Sequence, residues 1–327
     1  MLLMFQRPPT LIEIWRAHTR LRAWLAPTPL RKAFALSEQC AAEIFLKLEN
    51  WQPTGSFKVR GAFNLLAQLT PSEIARGLVA ASAGNHGSAV GYAAQRLGIA
   101  NVHIFAPTTT PRAKIAKMQR LGVNVHEVGA TYDDAHHAAA AFQHAQGATF
   151  VHAYDDARTV AGAGACALEI LETAQTLDAV LIPVGGGGLS AGMAIAFKQL
   201  APHIQVVGIQ PEASPSLRDS LRDQICYEEY NAAPTLCDGL AGGIGKIVFE
   251  VAQKKWIDQT LLVSERAVAR AVAEFARREQ LMVEGSGAVG LAALLENPER
   301  WRGQRVGLVV SGANIDAARL RELLTED

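Results

Sequence analysis

The chain has 327 residues, of which 49% are hydrophobic, so it suits one large or two medium globular domains and is not a disordered protein. Basic and acidic residues number 31 each, and no basic run alternates with aromatic residues, so nucleic-acid binding has no electrostatic support. The four cysteines are scattered without metal-ligand spacing, which indicates reduced thiols in a cytoplasmic protein, and no window suits a membrane span.

The segment Pro-Thr-Gly-Ser-Phe-Lys-Val-Arg-Gly at residues 53–61 carries the first chemical signal. Ser56 is placed to cap a helix in which Phe57 and later apolar residues recur at helical spacing. Lys58 then falls in the first turn, where the positive end of the helix dipole lowers the pKa of its ammonium and favours a nucleophilic, imine-forming amine. A solvated surface lysine is the commoner meaning of such a position, so this interpretation depends on the segments that follow.

Strand and helix patterns alternate along the rest of the chain. Predicted strands occupy residues 77–81, 102–105, 123–128, 149–151, 179–184, 205–209 and 306–310. Helices are predicted at residues 88–97, 112–121 and 132–146, with Gly98 and Gly147 at the ends of the first and the last. Strands separated by helices of this length form right-handed βαβ units, so an α/β fold with parallel sheets is predicted.

Ser-Ala-Gly-Asn-His-Gly at residues 82–87 joins a predicted strand to a predicted helix. The backbone N–H groups of such a turn suit a substrate carboxylate, and Asn85 is able to hydrogen-bond a phenolic or carbonyl oxygen. Taken alone, the segment is explained equally well as a helix cap made by Ser82 or Asn85.

Two further loops follow predicted strands. Gly-Gly-Gly-Gly-Leu-Ser at residues 185–190 opens a helix and predicts an anion cradle sized for phosphate, although a plain glycine turn is the alternative. The loop lacks the Lys-Ser/Thr of a P-loop and lies too late in the chain for a dinucleotide fingerprint. In Ser-Gly-Ala-Asn at residues 311–314, Ser311 is placed to contact a heterocyclic nitrogen, and an ordinary turn is the commoner meaning.

Taken together, these four segments resemble the fold-type II pyridoxal-phosphate enzymes, most closely the threonine dehydratase and serine racemase group, with the motifs in family order. The resemblance implies a fold like that of the tryptophan synthase β-subunit, in which parallel sheets flanked by helices form two domains with a cleft between them. The expected large domain comprises residues 1–55 and 150–327, and the small domain comprises residues 56–149. The family also implies pyridoxal 5'-phosphate as cofactor, a small amino-acid substrate and a homodimer or homotetramer.

The resemblance assigns roles to residues that match the family motifs. Lys58 is expected to form the imine with the cofactor, Asn85 to contact its ring oxygen and Ser311 to face its pyridine nitrogen. The residues expected around the cofactor are Lys58, Phe57, Asn85, Gly185, Gly186, Gly187, Gly188, Leu189, Glu284 and Ser311. Those expected around the substrate are Ser82, Ala83, Gly84, Asn85, His86, Asp238 and Gly239. The stretch from His152 departs from the family pattern, so no contact is predicted there.

Three departures narrow the resemblance. Ala83 stands where serine racemases carry the serine that acts from the face opposite the lysine, which favours elimination over racemisation. Gln210 and Ser216 stand where the racemase-like members place two metal-binding carboxylates, so no metal site is expected. The chain ends at Asp327, soon after the last motif, so the regulatory domain of biosynthetic threonine dehydratases is not expected.

The predicted activity is conversion of a threonine- or serine-like 3-hydroxy amino acid to a 2-oxo acid and ammonia by α,β-elimination. The small residues at 241–243, which follow Asp238 and Gly239, could make room for a substrate with a bulkier side chain than that of threonine. A flexible glycine loop that has no influence on specificity explains them equally well. Two alternatives remain: a serine or hydroxyaspartate racemase on the same scaffold, and a catalytically silent binding protein.

Overall fold

The larger of two β-sheets has the strand order β1-β2-β10-β7-β8-β9 in a computed structural model that describes residues 6–174 and 176–325. Its strands are β1 (Leu30–Lys32), β2 (Glu43–Lys47), β7 (Ala179–Pro183), β8 (Gln205–Pro211), β9 (Gln259–Val263) and β10 (Arg305–Val309). All neighbours pair in parallel except β1, which runs antiparallel to β2. Every residue of β7 is buried, as expected for the interior of a parallel sheet that is covered on both faces.

The smaller sheet is parallel throughout, with the order β5-β4-β3-β6. Its strands are β3 (Leu78–Ala81), β4 (Val102–Ala106), β5 (Asn124–Glu127) and β6 (Thr149–Phe150). The sheets therefore separate residues 78–150 from the strands before and after them. The exact division into domains, at residues 55 and 150, stays a prediction.

Helices cover the faces of both sheets. They are α1 (Leu11–Leu21), α2 (Phe34–Cys40), α3 (Lys58–Leu66), α4 (Pro71–Ala75), α5 (Asn85–Leu97), α6 (Arg112–Arg120), α7 (Tyr132–Gln146), α8 (Ala157–Thr173), α9 (Gly188–Leu200), α10 (Ser216–Asp223), α11 (Lys246–Gln253), α12 (Glu265–Glu279), α13 (Gly285–Glu296), α14 (Pro298–Trp301) and α15 (Ala317–Thr325). One apolar core joins α1, α8, α9 and α11 to the larger sheet, and another joins α2, α12 and α13 to it. The predicted α/β fold with parallel sheets flanked by helices is confirmed.

Local signals place several helix ends where the sequence predicts them. Helix α7 begins after Thr131, whose hydroxyl accepts the N–H of Asp134, and ends at Gly147 in the left-handed conformation. Helix α5 ends at Gly98 in the same conformation, but it begins at Asn85, three residues earlier than predicted. None of the helices in the described part of the chain is long and apolar enough to cross a membrane.

Candidate active site

Lys58 is the first residue of α3, and the segment before it is fixed by the loop after β10. Ser56 forms an isolated antiparallel bridge with Gly312, and the N–H of Phe57 donates to the carbonyl oxygen of Ser311 at 3.0 Å. The prediction that Ser56 caps this helix is wrong. The Ser56 hydroxyl is buried without a hydrogen-bond partner among the described residues, because the backbone of Ser56 is drawn into the bridge.

The Lys58 amine is partly buried and makes few polar contacts with the described residues. Its Nζ donates to the carbonyl oxygen of Ala153 at 3.1 Å and lies 5.3 Å from the centre of the Phe57 ring and 5.9 Å from that of the Tyr154 ring. Burial lowers the pKa of Lys58 to about 8, and the charge of Glu284 offsets part of that shift. The direction agrees with the prediction, and the largest cause is desolvation.

The glycine loop after β7 depends on close backbone approaches. A Cβ on Gly186 would lie 2.3 Å from the Tyr154 ring, and Gly187, with φ of +89°, would place a Cβ 2.3 Å from Val248. Gly188 is the first residue of α9, so N–H groups at this helix start lack an intrahelical acceptor. Such a loop fits a phosphate, and Leu189 behind it is buried in the core.

The turn at residues 82–87 is organised by Ser82. Its hydroxyl oxygen accepts the N–H of Gly84 at 3.0 Å and that of Gly87 at 2.8 Å. The Ser82 side chain is therefore occupied in stabilising the start of α5, and Ala83 beside it is exposed. The arrangement agrees with the helix-cap alternative for Ser82, and only the N–H groups of the turn that do not donate to Ser82 remain suited to a carboxylate.

Asn85 connects this turn to two other elements. Its Nδ2 donates to Oε1 of Glu284 at 2.8 Å, and its Oδ1 accepts from Nδ2 of Asn314 at 2.6 Å. Glu284 is buried, and its Oε2 has no hydrogen-bond partner among the described residues. Burial, followed by the charge of Asp238, raises the pKa of Glu284 to about 7. A buried carboxyl group with one free oxygen is available to a bound ligand.

A cavity of about 130 Å³ brings many of the predicted residues together. Its lining includes the predicted residues Lys58, Ser82, Ala83, Gly84, Asn85, His86, Gly186, Asp238 and Gly239. Lys114, Tyr132 and Tyr154 also line it, and the sequence does not predict them. Tyr154 lies in the stretch that departs from the family pattern, and Lys114 lies on a helix whose sequence carries no chemical motif.

The remaining predicted cofactor residues lie around this cavity without lining it. Phe57 precedes Lys58, while Gly185, Gly187 and Gly188 flank Gly186 in the loop. Ser311 is buried, and its hydroxyl donates to the carbonyl oxygen of Ser286 at 3.4 Å. Their proposed contacts with a cofactor remain predictions.

His86 forms part of the cavity wall as a neutral ring. Its Nε2 lies 2.8 Å from the carbonyl oxygen of Val151, and burial, followed by the charge of Lys58, lowers the pKa of His86 to about 3. A carbonyl accepts only from a protonated nitrogen, so this contact assigns the hydrogen to Nε2. His86 is therefore unsuited to donate a proton as an acid near neutral pH.

Gln210, where the sequence predicts that no metal is bound, is held by hydrogen bonds within the fold. Its Nε2 lies 3.4 Å from the carbonyl oxygens of Val184 and Ser214 and 3.3 Å from the Ser216 hydroxyl. Its Oε1 accepts the N–H groups of Leu217 and Arg218, both at 3.1 Å. The amide thus satisfies oxygen atoms that a cation would otherwise attract, and the described residues contain no group of three candidate metal ligands.

The residues present fit pyridoxal phosphate on structural grounds. The chain supplies an amine with a near-neutral pKa in Lys58, a glycine cradle at a helix start and an unpartnered carboxylate oxygen on Glu284. The glycine cradle follows the carboxyl end of β7, and the N–H groups of Phe57 and Glu284 donate to the carbonyl oxygens of Ser311 and Gly312 after β10. Lys58 and Glu284 are thus held beside the carboxyl ends of these strands, the place where parallel sheets bind ligands.

Comparisons with known proteins point in the same direction. A family model described as "Pyridoxal-phosphate dependent enzyme" matches residues 21–312. The chain is 41% identical to the L-threonine ammonia-lyase of Thermotoga maritima, over 97% of this chain and 78% of that protein. It is 34% identical to the β-hydroxyaspartate dehydratase of Paracoccus denitrificans, over 95% of this chain and 98% of that protein. Among solved structures, a threonine deaminase from Solanum lycopersicum superposes with a TM-score of 0.88 at 31% identity, over 98% of this chain and 90% of that one. The structure of maize serine racemase superposes with a TM-score of 0.88 at 28% sequence identity, over 96% of each chain.

Proposed function

The chain belongs to the family of pyridoxal-phosphate-dependent enzymes, and on this premise we propose that it is an ammonia-lyase acting on a 3-hydroxy amino acid. The observation that carries the proposal is the Lys58 amine, which has a pKa of about 8 and shares one cavity with the turn at residues 82–87. Near neutral pH an amine of this pKa has a far larger neutral, basic fraction than an ordinary lysine, and the turn offers backbone N–H groups to a carboxylate.

Pyridoxal phosphate, when bound, supplies the conjugated ring that delocalises the negative charge left at the substrate Cα. The loop of Gly185 to Gly188 would hold its phosphate, Lys58 its aldehyde carbon, Asn85 its ring oxygen and Ser311 its pyridine nitrogen. Glu284, which already accepts a hydrogen bond from Asn85, would lie beside the ring.

The chain's own residues then divide the reaction between them. N–H groups at the start of α5 bind the α-carboxylate and orient the Cα–H bond toward Lys58. The Lys58 amine removes the Cα proton, and the electron pair of that C–H bond forms a Cα–Cβ double bond as the β-hydroxyl leaves. The hydroxyl takes up a proton and departs as water. Hydrolysis of the resulting enamine gives a 2-oxo acid and ammonia.

Lys58 in its protonated form is one candidate donor of the proton for the departing hydroxyl, and the phosphate group that the loop of Gly185 to Gly188 would hold would be the other. His86 is not among them, since its ring is neutral at the pH of catalysis. Racemisation on the same scaffold would need a second acid on the face opposite Lys58. Ala83 has no such group, and the Ser82 hydroxyl is occupied by the N–H groups of Gly84 and Gly87.

Product analysis tests the proposal. Incubation with L-threonine, L-serine and bulkier 3-hydroxy amino acids should give 2-oxo acid and ammonia, with little D-isomer by chiral chromatography. An Ala83→Ser variant should raise the ratio of inversion to elimination, because it restores a hydroxyl at this position. D-serine formed by the unmodified enzyme as fast as pyruvate would favour the racemase. A purified protein that takes up no pyridoxal phosphate would favour the silent binding protein.

We also propose that the enzyme is a cytoplasmic homodimer or homotetramer. Support comes from the free thiols of the cysteines and from large apolar side chains at the surface, including Phe34 (75% exposed), Ile12 (63%) and Trp51 (57%). Exposed aromatic and aliphatic groups of this size are typical of subunit contacts. Sedimentation equilibrium should give two or four times the 35.0 kDa chain mass, and a monomer would contradict the proposal.

A further inference from the structure

An ion pair crosses the wall of the active-site cavity. Lys114 on α6 directs its Nζ to Oδ2 of Asp238 at 2.5 Å, and both residues line the cavity that contains Lys58. The Lys114 side chain is only 18% exposed, whereas that of Asp238 is 57% exposed. The pair therefore consists of a largely buried cation and an anion that faces solvent.

Both partners are held by the binding elements themselves. A Cβ on Gly84 would lie 2.9 Å from Cδ of Lys114, so the lysine stem packs on the turn that is suited to the substrate carboxylate. Asp238 begins the short 3₁₀ turn Asp238–Leu240, where the N–H of Gly239 donates to the Ser286 hydroxyl at 3.0 Å. The two charges thus meet at the wall of the cavity that contains Lys58.

The neighbouring lysine shows that Lys114 is distinct in its environment. Lys117, one helical turn later, donates from Nζ to the carbonyl oxygen of Thr54 at 2.8 Å and to Oδ1 of Asn314 at 2.6 Å. Its ammonium is tied to groups outside the cavity lining. Lys114, by contrast, presents to the cavity an ammonium that is paired with an aspartate at the solvent edge.

We infer that Asp238 is a specificity-determining residue, which occupies Lys114 and so selects 3-hydroxy amino acids with uncharged side chains over those with a second carboxylate. This inference rests on the proposed elimination reaction. An uncharged side chain leaves the Lys114–Asp238 pair intact. A side-chain carboxylate, as in 3-hydroxyaspartate, must compete with Asp238 for Lys114.

The physical basis is the balance of charge around one ammonium. Asp238 raises the pKa of Glu284 and Lys114 lowers it, so all three groups already interact. A further carboxylate would have to displace Asp238 from Lys114 or share that ammonium with it, so it would gain less from the cation than it loses on leaving water. Removing the Asp238 charge while keeping its shape turns Lys114 into a receptor for that carboxylate.

The test uses the holoenzyme and an Asp238→Asn variant. The ratio of kcat/KM for 3-hydroxyaspartate to that for L-threonine should rise about five- to tenfold in the variant, the effect expected for one partly buried charge pair. A second change, Lys114→Gln, should remove this gain. The matched control is Asp223→Asn, which breaks an exposed pair with Arg222 on α10 and should leave the ratio unchanged.

Binding gives a readout that does not depend on turnover. L-aspartate and L-alanine have no β-hydroxyl to lose, and the ratio of their dissociation constants should shift toward L-aspartate in Asp238→Asn by a similar factor. An unchanged ratio in both assays, or an unmodified enzyme that prefers 3-hydroxyaspartate to threonine, would overturn the inference. Failure of the unmodified enzyme to eliminate any 3-hydroxy amino acid would instead overturn the proposed function, while the binding ratio would still test the role of Asp238.

Discussion

Two cationic side chains on α3, Lys58 and Arg60, are treated in opposite ways by the fold. Arg60 is 1% exposed and donates to both oxygens of Glu49, at 2.7 and 2.8 Å, and to both oxygens of Glu169, each at 2.7 Å. Lys47 also donates to Glu169, at 2.5 Å, and these four residues, Lys47, Glu49, Arg60 and Glu169, form what we call the Arg60 cluster. Among the residues that the structure describes, Lys58 has one carbonyl acceptor and two ring contacts.

The difference between the two side chains is that the Arg60 charge stabilises the fold, whereas the Lys58 amine is available for chemistry. Burial alone would lower the pKa of Arg60, but Glu49 and Glu169 raise it above its usual range, so the guanidinium stays charged. Burial lowers the pKa of Lys58, and Glu284 only partly opposes this. A cluster of two cations and two anions thus anchors the helix, and the amine at its first residue is left available for reaction.

Removing the Lys58 amine should have the largest effect. In Lys58→Ala both the imine partner and the Cα base are lost, so turnover should fall by at least about 10⁴-fold, measured as 2-oxo acid formation. The fold should persist, because Lys58 contributes no ion pair to the Arg60 cluster. Lys254→Ala, at an exposed pair with Glu250, serves as the control and should retain full activity. A loss of less than tenfold in Lys58→Ala would contradict its proposed role.

Breaking the Arg60 cluster should affect stability. Arg60→Met leaves Glu49 and Glu169 buried with too little positive charge, so the free energy of unfolding should fall by about 3–5 kcal/mol in urea titrations. Arg302→Met breaks an exposed pair with Glu299 and should change it by no more than about 1 kcal/mol. Equal effects of the two substitutions would show that the cluster does not anchor α3.

Glu284 sharpens the comparison through pH, since it is a buried carboxyl group with an incomplete set of partners. The pKa of a glutamate side chain is ordinarily 4.5, and burial raises that of Glu284 to about 7 in the folded protein. The folded state therefore binds this proton more tightly than the unfolded state does. The free energy of unfolding should therefore decrease as pH rises from 4.5 to 7, and the loss is complete above 7. Glu284→Gln keeps an acceptor for Asn85 and removes this ionisation.

In the cofactor-free protein, Glu284→Gln should be more stable than the unmodified protein by up to about 3 kcal/mol at about pH 8 and by little at about pH 4. Thermal denaturation across this pH range measures the difference. A constant difference at all pH values would mean that Glu284 ionises at its ordinary pKa in the folded state.

The smallest expected effect concerns divalent cations. The Gln210 amide already bonds the oxygen atoms around it, so millimolar Mg²⁺ or Ca²⁺ should shift the melting temperature by less than about 1 °C. Gln210→Glu supplies a carboxylate and should make melting respond to the cation. A clear shift in the unmodified protein that a chelator removes would place a metal site elsewhere in the chain.

Features with a local cause are the ones that the sequence predicts well. Gly98 and Gly147 end helices because a left-handed residue is needed there, and the glycine loop after β7 is visible as a run of letters. The cap predicted at Ser56 is wrong, because the bridge from Ser56 to Gly312 brings together residues far apart in the chain. A pattern limited to one helix cannot show such a contact.

The unpredicted parts of the site also depend on long-range contacts. Lys114 and Asp238 are distant in sequence and meet only when α6 lies beside the turn at Asp238. Burial is the largest cause of the lowered pKa of Lys58, and burial is a property of the packed fold that a single helix pattern does not show. The Arg60 cluster joins β2, α3 and α8, so the charges of Lys47, Glu49 and Glu169 carry no signal when each segment is read alone.

The most direct test of the central claim is to identify which lysine holds the cofactor. The holoenzyme would be reduced with borohydride, digested and mapped by mass spectrometry. The pyridoxyl group should be found on the peptide containing Lys58, because its amine combines a lowered pKa with a place in the cavity wall. A label on Lys47, Lys114 or Lys198 in place of Lys58 would contradict the account.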